Sequence, residues 1–236
     1  MPSSLLRDLR ATIRAAADPA RAAGAARFFK TAPGEYGAND KFLGIRVPAL
    51  RKIAGAHRAL PSADRIALLH SPWHEERLLA LLLFVDAHHR AEPREQLTLH
   101  RAYLANTASV NNWDLVDSSA EELVGAHIRP RGTRMLERLA RSTSLWERRI
   151  AIIATYHTIK HHDFEPTLAI AERLLHDEHD LIHKAVGWML REVGNRDGDT
   201  ERAFLDRHAP TMPRTALRYA VEKCDDTERR RYMIMR

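Results

Sequence analysis

A tryptophan and an aspartate in the stretch NNWDLVD (111–117) are the first candidates for chemistry. Trp113 and Asp117 stand four residues apart, and side chains at that spacing share one face of a helix. The two preceding asparagines are natural N-caps, and Asp114 then falls in the first turn, where a carboxylate stabilises the positive helix end. Asp117 lies beyond that turn, so capping does not explain it. The pair fits either a site or a packed core.

Two later helical stretches hold similar candidates. Arg149, in LWERRIAI (145–152), is expected at the border of an apolar stripe, with Arg148 further toward solvent. The alternative is that the Arg149 stem only covers apolar surface. Trp188, in HKAVGWMLREVG (183–194), is displaced from the apolar stripe of its helix. It therefore either faces a groove or fills the core.

The composition permits a nucleic-acid partner without demonstrating one. The 236 residues carry a formal net charge of +6, with 37 basic residues against 31 acidic ones, and only six of the basic residues are lysines. Arginine suits phosphate because its planar fork donates two parallel hydrogen bonds. A GC-rich gene would also give an arginine-rich chain. The hydrophobic content of 44% is sufficient for a core and argues against disorder.

Several classes of protein are disfavoured by what the sequence lacks. A single cysteine, Cys224, cannot build a disulfide framework or a cysteine zinc site. Histidine pairs at 157/161 and 179/183 have a metal-ligand spacing but no HExxH glutamate, so we expect no metal. The chain shows neither a signal peptide nor an apolar run of membrane-spanning length. We therefore expect a cytoplasmic protein with no membrane contact.

Helical periodicity dominates the chain and predicts an all-α fold. Polar residues recur early in successive helices at spacings of 37, 35, 35 and 30 residues; these are Arg77, Asp114, Arg149, Lys184 and Arg214. A second helix is predicted between these markers, at about 62–70, 95–106, 132–141, 165–176 and 199–208. Two helices per unit of this length predict an α-solenoid of HEAT-like helix pairs.

The N-terminal part departs from this repeat. Helices are expected at about 3–17 and 19–31, before an irregular stretch at 31–50 that is rich in glycine and proline. We therefore predict a single domain over 1–236, in which residues 1–50 hold the N-terminal helices and loop and residues 51–236 the helical repeats.

The repeat relates the separate candidates to one another. Second helices of a solenoid usually line its concave surface. Trp113, Asp117, Arg149 and Trp188 would then share a concave basic face. Further cations extend the positive charge along this face, namely Lys184, Arg191, Arg214 and Arg218.

These motifs closely resemble the HEAT-repeat DNA alkylation repair family, the AlkD-like DNA glycosylases. The resemblance rests on NNWDLVD, LWERRIAI and HKAVGWMLREVG, and extends to FLGIRVPALRK (42–52) and MPRTALRYAVEK (212–223). It implies a monofunctional, cofactor-independent glycosylase. Such an enzyme excises cationic alkylated purines, such as 3-methyladenine and 7-methylguanine, from double-stranded DNA.

The resemblance also implies roles for individual residues. Trp113 and Asp117 match the family's catalytic pair, Trp188 matches a second indole at the lesion, and Arg149 matches a contact to the DNA backbone. Phe28 stands near a place where a DNA-contacting tyrosine is expected. Arg46 stands near a glutamine position, and we count Arg46 and Arg148 among the predicted DNA contacts.

Two other functions remain open on the sequence. A non-catalytic HEAT-like module for damaged or branched DNA would use the same basic surface. A protein-binding solenoid would use the arginines only to solvate its surface. For the glycosylase we expect a monomer.

Overall fold

Helices form all the regular structure in the part of the chain that the computed structural model describes, residues 3–129 and 132–235. No strand occurs in these residues, and an isolated β-bridge joins Lys41 to Trp73. The predicted all-α fold is confirmed. Backbone contacts divide the chain into two compact units, one ending at Ser119 and the other beginning at Ala120. That residues 1–236 form a single domain stays a prediction.

A long buried helix, α5, is the centre of the first unit. It is apolar around most of its circumference, which is typical of a helix with neighbours on all sides. Leu79 and Leu81 have no exposed surface. The helices α3, α4, α6 and α7 all pack against α5. The unit comprises α1 (Ser4–Ala15), α2 (Pro19–Phe28), α3 (Val47–Ala56), α4 (Ser62–Leu69), α5 (His74–Arg90), α6 (Pro93–Ala105) and α7 (Trp113–Asp117), with a 3₁₀ turn at Thr107–Ser109.

In the second unit, helices stack in a row as a repeat requires. Helix α10 packs on α13 and α13 packs on α15, while α9 packs on α10 and both α12 and α14 pack on α13. The unit comprises α8 (Ala120–Leu123), α9 (Arg134–Ala140), α10 (Leu145–Ala154), α11 (Tyr156–Lys160), α12 (Glu165–Leu174), α13 (Asp180–Gly194), α14 (Gly198–His208), α15 (Arg214–Ala220) and α16 (Asp226–Ile234), with 3₁₀ turns at Gly125–His127 and Val221–Lys223.

The predicted helix positions agree with the structure, and the predicted ends differ. The five helices expected between the polar markers correspond to α4, α6, α9, α12 and α14. Helix α2 ends at Phe28 rather than at residue 31, and Lys30 adopts a positive φ of 52°. The irregular stretch ends at residue 46 rather than 50. Pro48 lies in the first turn of α3, where the backbone N–H that proline lacks is not needed.

Glu75 of α5 holds the loop that precedes α3. Its carboxylate is buried and accepts hydrogen bonds from the backbone N–H groups of Leu43 (2.8 Å), Gly44 (2.7 Å) and Ile45 (3.3 Å). Gly44 has a φ of 79°, and a Cβ there would lie 2.1 Å from the carbonyl oxygen of Asp18. The loop is therefore fixed on both sides, by a buried carboxylate and by close backbone packing.

A glycine allows the closest helix contact of the second unit. A Cβ at Gly187 of α13 would lie 2.3 Å from the carbonyl oxygen of Ala216 and 2.6 Å from Cβ of Tyr219, both on α15. The backbone oxygen cannot move without shifting α15.

We therefore expect Gly187→Ala to lower the free energy of unfolding by about 1–3 kcal/mol, the usual cost of overpacking. The matched control is Gly24→Ala in α2, where a Cβ meets no atom within 4 Å. The control should be neutral or stabilising by up to about 1 kcal/mol, because alanine favours helix. Urea unfolding of both variants measures the difference. Equal stabilities would contradict the assigned close contact.

Candidate active site

The start of α7 is fixed by polar side chains. Asn112 is fully buried; its Oδ1 accepts from the backbone N–H of Trp113 at 2.8 Å, and its Nδ2 donates to Asp40 at 3.2 Å. Asp114 Oδ1 accepts from the backbone N–H of Leu115 at 2.9 Å. Asn112 therefore caps the helix, and Asp114 lies in its first turn, as the sequence predicts.

Asp114 also belongs to a buried ionic network that the sequence does not reveal. His74 lies between two carboxylates, with Nδ1 3.1 Å from Asp40 and Nε2 2.8 Å from Asp114. Arg77 donates to the other oxygen of Asp40 at 2.6 Å and to the carbonyl of Ser71 at 3.0 Å. Two cations and two carboxylates thus neutralise one another, and helix-start chemistry explains only one oxygen of Asp114.

The carboxylates keep His74 protonated. Burial alone would lower the pKa of His74, but hydrogen bonds to Asp114 and Asp40 outweigh it and raise the pKa to about 9. Burial would likewise raise the pKa of Asp40, but the bond from His74 and the charge of Arg77 hold it below its usual value. At neutral pH both imidazole N–H groups therefore donate, which ties α7 to the loop that contains Asp40.

Aromatic rings continue from this network to Trp113. The ring of Phe29 lies 4.7 Å from His74, 5.1 Å from Phe42 and 5.3 Å from Trp113, stacked on the last two. Phe28 approaches Trp113 edge-on at 5.9 Å and is itself 66% exposed. The orientation of the indole is therefore set by packing, while part of its surface reaches solvent.

Asp117 is the last residue of α7 and is partly exposed. Its charge acts on Tyr103, whose pKa is raised by burial and further by the charge of Asp117. The Tyr103 hydroxyl is fully buried and accepts from Ser119 at 3.2 Å. One short helix thus carries both Trp113 and Asp117, and their catalytic role stays a prediction.

A cleft of about 270 Å³ lies beside the ionic network. Its walls include Phe29, Phe42 and His74, and Arg46 lies at it together with Arg21. Arg46 is exposed and precedes the first residue of α3. An anion can reach Arg46 at that position. The DNA contact by Arg46 stays a prediction.

Arg148 and Arg149 of α10 are both engaged within the second unit. Arg148 forms a two-point ion pair with Asp177, at 2.6 and 3.3 Å, and donates to the carbonyl of Ser142. Arg149 is only 5% exposed and donates to the carbonyl of Leu181 at 2.5 Å. Arg149 is therefore not a surface residue whose stem covers apolar area. The DNA contacts of Arg148 and Arg149 stay predictions. Both side chains also hold helices together.

Trp188 lies in a cluster of aromatic and charged groups. Its ring is 6.2 Å from that of Tyr156, and its Nε1 donates to Glu192 at 3.3 Å. Lys160 Nζ lies 4.7 Å and the Arg196 guanidinium 5.6 Å from the Tyr156 ring. Trp188 is partly exposed, so it is not only a core residue. Tyr156 is not among the candidates from the sequence, because it lies past the end of α10, in the short helix α11.

The remaining predicted DNA contacts differ in how far their side chains are bonded within the protein. Lys184 pairs with Asp180 at 2.8 Å, and Arg191 pairs with Glu222. Arg214 donates to the carbonyl of Met233 at 2.5 Å. Arg218 is exposed, and no described residue forms a hydrogen bond or ion pair with it. Arg218 is thus the least engaged of the predicted cations in the second unit.

The side chains of residues 3–129 and 132–235 form no cluster of three or more potential ligands for a metal ion. None of the helices there combines the length and apolarity that crossing a bilayer requires.

The network gives a prediction for stability. A raised histidine pKa stabilises the fold fully below the ordinary value of 6.5, and this contribution is lost as the pH rises through about 9. We expect His74→Gln to lower the free energy of unfolding by about 3 kcal/mol at neutral pH. The difference from wild type should shrink above pH 9. Urea unfolding across this range measures it, with the exposed His176→Gln as control; a pH-independent difference would contradict the assignment.

Comparisons with known proteins agree with this architecture. The family described as DNA alkylation repair enzyme matches residues 9–224. Among solved structures, a predicted DNA alkylation repair enzyme from Enterococcus faecalis is 15% identical, with a TM-score of 0.67 over 89% of this chain and 97% of its own. At that identity the likeness shows a shared fold. A comparison with curated proteins gives no match. Because the family match spans most of the sequence, the chain belongs to the family of DNA alkylation repair enzymes.

Proposed function

We propose that the protein is a monofunctional DNA glycosylase that hydrolyses the N-glycosidic bond of cationic alkylated purines in double-stranded DNA. The observation that carries the proposal is the Trp113–Asp117 pair on α7. The buried network of His74 fixes the start of this helix, and the carboxylate at its end is partly exposed. A preorganised carboxylate beside an indole suits a reaction in which positive charge develops on a sugar.

The proposed reaction needs only the chain and water. An N3- or N7-alkylated purine carries a positive charge, and it leaves as a neutral base when the bond between C1′ and the ring nitrogen breaks and its electron pair moves to that nitrogen. The sugar then carries the positive charge, which the Asp117 carboxylate stabilises. Water adds to C1′ and loses a proton to the carboxylate or to solvent. No lysine adduct forms, so the enzyme is monofunctional and uses no cofactor.

Indoles have a defined part in this scheme. The face of an indole attracts a cation by about 0.5–2 kcal/mol. Trp113 would meet the sugar or the alkylated base near Asp117, and Trp188 in the second unit would contact the same class of group. The partly exposed surfaces of both rings support these roles.

Cations would hold the DNA backbone and set its register. Arg218 and Arg46 are exposed, and Lys184 and Arg214 keep donors beyond the single bonds described above. Arg191 is bound to Glu222, and Arg148 and Arg149 are oriented by Asp177 and Leu181, so we propose these three as rigid rather than mobile contacts. We propose further that the enzyme acts as a cytoplasmic monomer.

The test is the release of bases from methylated double-stranded DNA, detected by mass spectrometry. Asp117→Asn should lower the rate of 7-methylguanine release by about 100-fold or more, since it removes the charge that stabilises the transition state. Its affinity for DNA should be nearly that of the wild type. The exposed Asp8→Asn, which makes the same chemical change in α1, should release bases normally. Release by Asp117→Asn at the wild-type rate would refute the assignment.

One observation favours a second candidate, a non-catalytic module for damaged or branched DNA. The Trp113 ring is packed against Phe28 and Phe29, which leaves less of the indole for a lesion. The same assay separates the two functions. DNA binding by the wild type without any base release would favour the binding module.

A further inference from the structure

A groove runs between α3 and α5 of the first unit, with a volume of about 260 Å³. One side consists of Arg51, Ala54 and Gly55 of α3 and of Arg58, which lies in the turn just past the end of this helix. Arg51, Ala54 and Gly55 have the spacing of residues on one helical face. The α3 side therefore presents small residues between two arginines, one at each end.

The α5 side has a matching stripe. Leu82 and Val85 contribute apolar surface, and Asp86 and His89 follow on the same face. Asp86 is the single carboxylate of the lining. It accepts from Arg58 at 3.1 Å and from Arg90 at 2.6 Å, so its charge is neutralised.

The two arginines of the groove are available to a ligand. Arg51 is exposed, and no described residue pairs with it. Arg58 is 59% exposed despite its bond to Asp86. Guanidinium groups at the rim of a narrow groove suit the oxygens of a phosphodiester.

The floor of the groove is open. A Cβ at Gly55 meets no atom within 4 Å, and the adjacent Ala54 is small. A strand of sugar and phosphate can therefore approach the helix backbone. A larger side chain at Gly55 would occupy the groove without disturbing the fold.

The groove lies next to the proposed catalytic helix. Ser118, the C-cap of α7, is part of its lining and directly follows Asp117. Its hydroxyl donates to the carbonyl of Asp114 at 2.7 Å, so the groove ends on the last turn of α7.

We propose that this groove binds backbone phosphates of the DNA strand beside the nucleotide presented to Asp117, with Arg51 and Arg58 as the phosphate contacts. The proposal rests on the proposed function for its partner, which is DNA. It adds a binding site on α3 and α5 to the cations that the sequence indicates. In this role the two arginines position DNA and take no part in bond breaking.

The first test compares Arg51→Ala with Lys52→Ala, its exposed neighbour that does not line the groove. The affinity of the full-length protein for a fluorescent DNA duplex is measured at several salt concentrations. Each phosphate contact contributes about 0.9 to the slope of log affinity against log salt. Arg51→Ala should lose about one such contact and bind about 5- to 10-fold more weakly at low salt. Lys52→Ala should keep the slope.

The second test occupies the groove. Gly55→Glu places a negative charge on the floor, and Gly55→Gln adds the same bulk without charge. We expect Gly55→Glu to weaken DNA binding about 10-fold or more and Gly55→Gln to have a smaller effect, because repulsion between like charges adds to the steric block. Circular dichroism melting confirms that both variants fold. Lys52→Ala, outside the groove, should release bases at the wild-type rate, whereas base release by Arg51→Ala at limiting DNA should fall in step with its weaker binding.

The outcomes distinguish this site from the proposed activity. If the wild type binds DNA and all four variants bind equally well, the groove is not a phosphate site, and the glycosylase proposal is unaffected. If Arg51→Ala and Gly55→Glu weaken binding but the wild type releases no base, the phosphate site in the groove is supported and the glycosylase proposal fails. A wild type without salt-sensitive DNA binding would contradict the proposed phosphate site.

Discussion

The first unit depends on four ionisable residues buried at the head of α5. His74 binds Asp40 and Asp114, and Glu75 binds the loop before α3. Glu76 is bonded by Arg10 and Arg14 of α1, while Arg77 binds Asp40. A buried charge without its partner costs several kcal/mol, so each of these segments is held in one place. Apolar packing alone would allow more than one position for the loop and for α7.

This arrangement gives the proposed catalytic helix its rigidity. A five-residue helix is too short to be stable by itself. Asn112, Asp114 and the ring of Phe29 supply the contacts that its own hydrogen bonds cannot. Trp113 and Asp117 are thus positioned by residues distant in sequence. In the second unit, a close backbone contact adds to the bonds of Arg148 and Arg149, since Gly187 allows α13 and α15 to touch.

The sequence predicts the helices well because their apolar periodicity is strong. The five helices predicted between the polar markers are all present, and the site candidates Trp113 and Asp117 share one helix. The buried network was missed because Asp40 and Asp114 each have a sufficient local explanation, as a turn residue and a helix-start residue. The signal was the sequence HEER (74–77) at the head of a helix whose middle is apolar, where four ionisable residues need partners. No local pattern identifies those partners; the two of His74, for example, are 34 and 40 residues away in the chain.

The same reasoning explains why arginines that are predicted to contact DNA also form bonds within the protein. The sequence shows the charge of Arg148 but not its pairing with Asp177, a residue that follows α12.

The mutual neutralisation of the four buried charges also constrains how this sequence can evolve. Asp40, His74, Arg77 and Asp114 form a neutral set with little contact to water. A change in one member leaves another buried charge unpaired, whereas a joint replacement by apolar residues of similar volume removes that cost. The four positions are therefore epistatic: substitutions there are tolerated in combination, and the path from one functional combination to another passes through unstable intermediates.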